Sequence, residues 1–467
     1  MLPEAVTKFL RDNRERHLGE LFELLRFPSV ANTEPQACRQ AADWLVRRLG
    51  ECGLQARAVA TGGQPNVLAS LHVGDDSPTL LLYGHYDVQP PDPLEQWKSP
   101  PFEPVVRDGA IWARGADDDK GQLYAHIMAI EAWQQAGGGV PVNLQVLLEG
   151  EEEVGSPDME PFLAAHAEEL SADAAVISDS AFFADNLPSI TYSLRGLAYV
   201  EVTFRGPSAD IHSGVNGGAV ANPINALARL VAGMHDNAGR VTLPGFYDDV
   251  LPLTEAERSR WDALSFDQAG YARSLGVDVL GGGEAGFSVL ERRWARPTLD
   301  ANGIVGGYTG VGSKTIIPAE ASVKISMRLV PNQDPAKVVE DFRQYVSEHT
   351  PPGIRAEVKL NAGARPVMIN TRSSAMEAGK AALAEAFGPA PAMVRCGASV
   401  PITELFQRLL GLDAVLMGFG LPEDNLHSPN EHYNLEQFYR GAIASAAMMG
   451  NVGRIRKKTR TKQGPNG

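Results

Sequence analysis

Cysteine is scarce: Cys38, Cys52 and Cys396 are the only three among 467 residues. The number is odd and no pair has C-x-x-C spacing, so a disulfide framework and a cysteine-built metal site are both excluded. Reduced thiols in a cytosolic protein are the expectation. Long apolar runs are missing as well. No stretch reaches the ~18 apolar residues of a membrane-spanning helix, and the first twelve residues carry no apolar segment of a secretion signal. Positive charge is in deficit, with 42 Lys and Arg against 57 Asp and Glu, a net charge of −15. Such a chain lacks the basic face that nucleic-acid binding requires. The expectation is a soluble, cytoplasmic protein with no membrane and no nucleic-acid partner. What is present is ample core material: 44% of residues are hydrophobic and 21% charged, which excludes disorder and collagen-like structure.

Along the chain, residues 5–26 and 36–50 have apolar residues at helical spacing. Strands and helices then alternate. Residues 67–73, 79–84 and 142–149 read as strands, and 120–135 as a helix stopped by Gly137 to Gly139. This pattern implies βαβ units, an α/β fold with a mostly parallel sheet covered by helices. From residue 197 the pattern changes. Residues 197–206 and 321–330 alternate like strands with one face in water, the second placing Ser322, Lys324, Ser326 and Arg328 on its polar face. A helix over 222–235 lies between them. An inserted α+β domain over 197–362 is therefore expected, between a first catalytic part at 1–196 and a second at 363–453. Residues 454–467 form a basic tail.

Polar residues gather where short apolar strands end, the edge at which open α/β sheets place their sites. His85 and Asp87 follow Leu80 to Leu82. Asp117, Asp118 and Asp119 precede the helix at Lys120, and three adjacent acids are more than a helix cap needs. Glu149, Glu151, Glu152 and Glu153 follow another strand, Asp179 a third, and His427 stands in a later Leu-His-Ser run. Histidine mixed with carboxylates suits Zn²⁺, Mn²⁺ or Co²⁺. The set exceeds the needs of one tetrahedral ion, whereas two ions sharing a bridging carboxylate, ~3.5–4 Å apart, use all of it. The Gly-rich run 307–315 is like a phosphate-binding loop, but Ser313 separates its last Gly from Lys314 and a strand follows, so nucleotide binding is set aside.

Five pieces, His85-Tyr-Asp87-Val, Arg114-Gly-Ala-Asp-Asp118-Asp-Lys-Gly, Glu149-Gly-Glu-Glu152-Glu153-Val-Gly-Ser, Ser178-Asp179 and Leu426-His427-Ser, stand in this order. Together they resemble the metallopeptidase M20 family, which includes dipeptidases such as carnosinase, carboxypeptidase G, and the acetylornithine and succinyl-diaminopimelate deacylases. The likeness extends over nearly the whole chain. It implies that Asp118 bridges two metal ions, that His85 and Asp179 complete the shell of one, and that Glu153 and His427 complete the other. It implies Glu152 as general base and Asp87 as the acid that orients His85. The inserted domain resembles the family's lid and dimerisation domain, so a homodimer is implied. Its Asp210-Ile-His212-Ser-Gly run resembles the motif whose histidine reaches a partner's active site and steadies the oxyanion. Thr315, Arg328 and Ser399 resemble substrate contacts of the carnosinase-like branch, where Arg328 would hold a peptide's terminal carboxylate.

The resulting expectation is a dipeptidase with two divalent ions per subunit, zinc first with Mn²⁺ or Co²⁺ as alternatives. It would hydrolyse a small peptide with water lying between the ions and Glu152 as base. Two rivals stand beside it: an amide hydrolase acting on N-acyl amino acids, and a binding protein that keeps the fold without catalysis.

Overall fold

The structure, a computed structural model, describes residues 1–455. The basic residues Arg456, Lys457, Lys458, Arg460 and Lys462 of the expected tail lie outside the described residues. The chain forms two compact units. The first comprises Met1–Tyr192, Ile369–Val394 and the chain from Pro401; the second comprises Ser193–Met368 and Arg395–Val400. The sequence pattern had set the limits at 197 and 362 and had kept 395–400 with the first part.

The first unit is built on a sheet with the strand order Gln55–Val59, Asn66–Leu71, Asn143–Glu149, Thr79–His85, Ala174–Ile177, Ala414–Leu416 and Ser189–Leu194. The inner strands run parallel: Thr79–His85 pairs with Asn143–Glu149 on one side and Ala174–Ile177 on the other, and Ala414–Leu416 pairs with Ala174–Ile177. Antiparallel strands flank them at both sides. The inner strands are buried almost without a break, which is why they read as unbroken apolar runs and not as alternation. The helix Lys120–Ala136 is buried from Lys120 to Ile130. A helix apolar all round must lie inside the fold, and this one packs against Leu435–Val452. The parallel register places His85 opposite Glu149, so the strands' carboxyl ends form one edge.

The expected single helix over 5–26 is in fact two, Glu4–Asp12 and Arg14–Leu25. The break is Asn13, at φ −106° and ψ 13°, whose side-chain amide donates to the Phe9 carbonyl at 2.9 Å. Asn competes in this way for backbone partners that a continuous helix would use. The other expected elements agree with the observed ones to within a few residues.

The second unit holds an antiparallel sheet in the order Thr298–Gly306, Glu320–Leu329, Gly196–Arg205, Arg355–Ala364. The two inner strands alternate strictly between buried and partly exposed residues. Their buried face carries Val200, Val202, Phe204, Val323, Ile325 and Met327. It is packed by Leu227 and Leu230 of helix Pro223–Gly233 and by Phe342 of helix Pro335–His349. Asn222 and Asp334 cap these helices through their side chains, each directly before a Pro at the first helical position. Among the described residues no helix is long and apolar enough to cross a membrane.

Candidate metal centre

Each candidate ligand of the first unit comes from the carboxyl edge of the sheet or from a turn beside it. His85 ends the strand Thr79–His85, and Asp179 follows Ala174–Ile177. Glu152 and Glu153 open a short turn after Asn143–Glu149. Asp118 precedes helix Lys120–Ala136, and His427 lies in the run before the strand His432–Asn434.

These side chains meet. The Nε2 of His85 stands 3.0 Å from Asp118 Oδ1 and 3.9 Å from Asp179 Oδ2. The Nε2 of His427 stands 2.9 Å from Asp118 Oδ2 and 3.2 Å from Glu153 Oε2. Two triads result, His85–Asp118–Asp179 and Asp118–Glu153–His427, each with its ligand atoms within 4.8 Å of one another. Asp118 is common to both and offers one oxygen to each. Its neighbours behave differently. Asp117 has both carboxylate oxygens buried without a hydrogen-bond partner, and Asp119 accepts the His85 N–H at 3.1 Å. Asp119 occupies the helix N-cap position yet makes no side-chain capping bond, so capping does not account for the acidic run.

The donor set fits divalent cations. Around the triads Asp87, Asp117, Asp118, Asp119, Glu149 and Glu431 are all buried, against Arg114 and Lys120 as buried cations. So many carboxylates out of water are costly without further positive charge. The charge states respond. Burial and the Asp118 carboxylate push Asp179 up to about 7. Burial, opposed by His85 and reinforced by Asp179, Glu153 and Asp118, holds Glu152 well above the usual range. Hydrogen bonds to Asp118 and Glu153 push His427 up to about 10. Burial would lower His85, but Asp118, Asp87 and Asp179 hold it well above its usual value. Protons thus occupy the imidazoles at the very positions where a ligand must be deprotonated to bind metal.

Asp87 does more than face His85. Its Oδ1 is 3.5 Å from His85 Nδ1, which lies closer, at 3.1 Å, to the Asp87 carbonyl oxygen. The same carboxylate accepts the backbone N–H of Glu152 at 3.1 Å and of Glu153 at 3.0 Å, and so fixes the turn that carries both glutamates. Gln89 donates to Glu153 Oε2 at 2.9 Å. Glu149 is taken up by Tyr83, whose hydroxyl donates to it at 2.6 Å, and joins neither triad.

The remaining candidates lie in the second unit and fall into two pairs. His212 faces Ile316 across a short antiparallel bridge, and the Ser213 N–H donates to the Thr315 carbonyl at 3.0 Å. His212 is exposed, and its Nδ1 accepts the Gly214 N–H at 2.9 Å. In the neutral ring the proton therefore sits on Nε2, which remains a donor. Arg328 donates to Ser399 Oγ at 3.2 Å, and Ser399 donates to the Arg195 carbonyl at 2.6 Å. Arg195 was not singled out in the sequence. Its Nε donates to the Gly397 carbonyl at 3.0 Å, and burial together with the Arg328 charge pushes it down to about 10. Two guanidiniums so placed favour an anion nearby.

Comparison with known proteins agrees with this chemistry. Cys-Gly metallodipeptidase dug1 of Schizosaccharomyces pombe is 35% identical over 390 residues, 81% of this chain and 80% of that protein. Beta-Ala-His dipeptidase of Homo sapiens is 32% identical over 388 residues, 82% of this chain and 76% of that one. The crystal structure of the M20 family metallo-carboxypeptidase Sso-CP2 from Sulfolobus solfataricus superposes with a TM-score of 0.85 at 32% identity, covering 94% of this chain and 99% of that one. The family described as Peptidase family M20/M25/M40 matches residues 81–451, from inside the strand that delivers His85 to the last helix. With both triads inside that span, this chain belongs to the M20 peptidase family and is a metallopeptidase.

Proposed function

We propose that this chain is a dinuclear metal-dependent dipeptidase. The observation that carries the reading is Asp118, which presents one oxygen to His85 and the other to His427, so that two triads share one carboxylate. His85, Asp118 and Asp179 would hold one divalent ion, and Asp118, Glu153 and His427 the other; nitrogen and oxygen donors of this kind suit zinc, with Mn²⁺ and Co²⁺ also accommodated. When bound, such a pair polarises the scissile carbonyl and acidifies water.

The chain's own groups do the rest. Glu152 stands next to the ligand Glu153 in one turn and is the base that takes the proton from the attacking water and returns it to the leaving amine. Asp87 acts by holding this turn through two backbone amides. His212, with its Nε2–H free to donate, is the group that steadies the oxyanion, from the partner subunit of a homodimer. The lid is the proposed dimerisation surface. In support, both outer strands of its sheet, Thr298–Gly306 and Arg355–Ala364, are largely exposed, and Ile304 and Val305 are 61% and 70% exposed. Such edges are ready to pair with another chain. Arg328, held by Ser399 and backed by Arg195, suits a terminal carboxylate, and Thr315, whose carbonyl accepts the Ser213 N–H next to His212, is a further substrate contact in this reading. The relatives named for Cys-Gly and β-Ala-His dipeptides support a dipeptide as substrate.

Glu152→Gln tests the assignment. The amide keeps the shape but cannot take the proton, so turnover should fall by ~10²–10⁴-fold with two ions per chain still bound. Loss of metal in this variant would make Glu152 a ligand, and wild-type turnover would remove it from the mechanism.

A further inference from the structure

Glu431 lies just beyond His427, and its side chain is 0% exposed. Its Oε2 accepts from Arg114 Nη1 at 2.7 Å and from the Gly115 N–H at 2.9 Å. Its Oε1 accepts from the Asp117 N–H at 3.1 Å and from the Asp118 N–H at 3.2 Å. A carboxylate has about four acceptor positions, and all of these donors belong to the turn that presents Asp118. The main chain repeats the link, since the Ala113 N–H donates to the Glu431 carbonyl at 3.2 Å. Arg114 supplies the counter-charge that a buried carboxylate requires, and its Nη2 is held in turn by the Pro90 carbonyl at 3.2 Å. The run from His427 to Glu431 is anchored separately. Asn430 accepts the Lys98 N–H and donates to the Gln96 carbonyl, both at 2.8 Å.

From these contacts we infer that Glu431 is a positioning residue for the metal centre. It clamps the backbone beneath Asp118 and, through the short run behind it, sets His427 against the second oxygen of the same carboxylate. One side chain thereby prepares the element shared by both triads before any ion arrives. Glu431 reaches Asp118 only through the Asp118 backbone N–H and belongs to neither ligand set, so its effect is on the geometry of the ligands. This inference rests on the reading of the triads as cation sites.

Two measurements test it. The first uses hydrogen exchange on the wild-type chain stripped of metal. The amides of Gly115, Asp117 and Asp118 should already be protected, because Glu431 accepts them without help from an ion. Free exchange there, with protection appearing only on Zn²⁺ addition, would overturn the inference. The second titrates Zn²⁺ calorimetrically into stripped wild type and Glu431→Gln, with melting temperature recorded alongside. The amide turns a donor toward backbone N–H groups or toward Arg114, so the turn loses part of its support. Zinc affinity should fall ~10–100-fold, the usual effect of removing an outer partner of a ligand, while kcat at saturating Zn²⁺ recovers to within a few-fold of wild type. Unchanged affinity in a folded variant would overturn the inference. If Glu431→Gln does not fold, the exchange result alone decides. A wild type that takes up fewer than two ions would instead defeat the dinuclear reading, a separate outcome.

Discussion

Replacing Asp87 by Asn should slow the enzyme although Asp87 belongs to neither triad. The wild-type carboxylate accepts the Glu152 N–H at 3.1 Å and the Glu153 N–H at 3.0 Å, one on each oxygen. Asn retains one acceptor and turns the other into an amide donor that faces a backbone donor. One hydrogen bond to a charged group is lost, worth ~1.5–3 kcal/mol, and a partly buried N–H loses its acceptor. At ~1.4 kcal/mol per factor of ten, displacement of the glutamate turn should lower kcat/KM by roughly 10–150-fold at saturating metal. The assay is steady-state hydrolysis of a dipeptide, paired with hydrogen exchange at the Glu152 and Glu153 amides. Those amides should exchange faster in Asp87→Asn than in wild type. Activity within twofold of wild type, or amides as protected as before, would refute the idea that Asp87 works through this turn. It would return Asp87 to the simpler role of orienting His85, from which its carboxylate is 3.5 Å distant.

Three further outcomes follow from the same geometry. His427 is pushed up to about 10 and His85 well above its usual value, so both carry protons at pH 7 and must lose them to act as ligands. Calorimetry of Zn²⁺ binding in buffers of different ionisation enthalpy should therefore show release of about two protons per chain, or more, at pH 7; release near zero would contradict these charge states. In a separate part of the first unit, burial favours the neutral form of Glu131, but His17, Arg16 and Arg48 outweigh it and hold its pKa down to about 2 against an ordinary 4.5. A depressed carboxylate stabilises fully above the unfolded value and ceases to do so as pH falls through the folded one. Wild type should lose up to about 3 kcal/mol between pH 4.5 and 2 through this group, and denaturant unfolding of Glu131→Gln should lack that part of the slope. Finally, His212→Ala should lower kcat strongly and leave metal content unchanged. Mixing it with Glu152→Gln should restore activity through hybrid dimers in which an intact Glu152 meets an intact His212; no recovery after demonstrated subunit exchange would place His212 within its own subunit's chemistry or outside it.

Much of the centre was legible because of one physical regularity. Short, wholly apolar strands announce a parallel sheet, and their carboxyl ends share an edge. His85, the acidic run 149–153 and Asp179 each stand at the end of such a strand; the choice of Glu153 within its run rested on the family resemblance, but the convergence was foreseeable from local sequence. The choice among Asp117, Asp118 and Asp119 was not: three identical side chains in a row differ only in where the turn points them. In the structure the Asp117 carboxylate is buried and joins neither triad, Asp119 holds the His85 backbone, and Asp118 faces both histidines. The supporting side chains were the least legible. Glu431 matters through backbone amides more than 300 positions earlier in the chain, with a separation of 313 to Asp118, and no local pattern encodes such a contact. Arg195 carries no local signal of its own; its place is visible only when Ser399, 204 positions later, donates to its carbonyl. At the amino terminus, apolar spacing continued across Asn13 although the helix did not, since periodicity registers the buried face and not a side chain that takes a backbone partner.

The central claim is best tested by titrating metal into stripped enzyme while assaying a panel of dipeptides, tripeptides and N-acetyl and N-succinyl amino acids. The shared Asp118 predicts no turnover without metal, activity that rises to a plateau at two equivalents of Zn²⁺, Mn²⁺ or Co²⁺ per chain, and preference for dipeptides with a free terminal carboxylate. A plateau at one equivalent would contradict the dinuclear centre. Preference for N-acyl amino acids, or hydrolysis of no member of the panel by the fully loaded enzyme, would contradict the dipeptidase assignment.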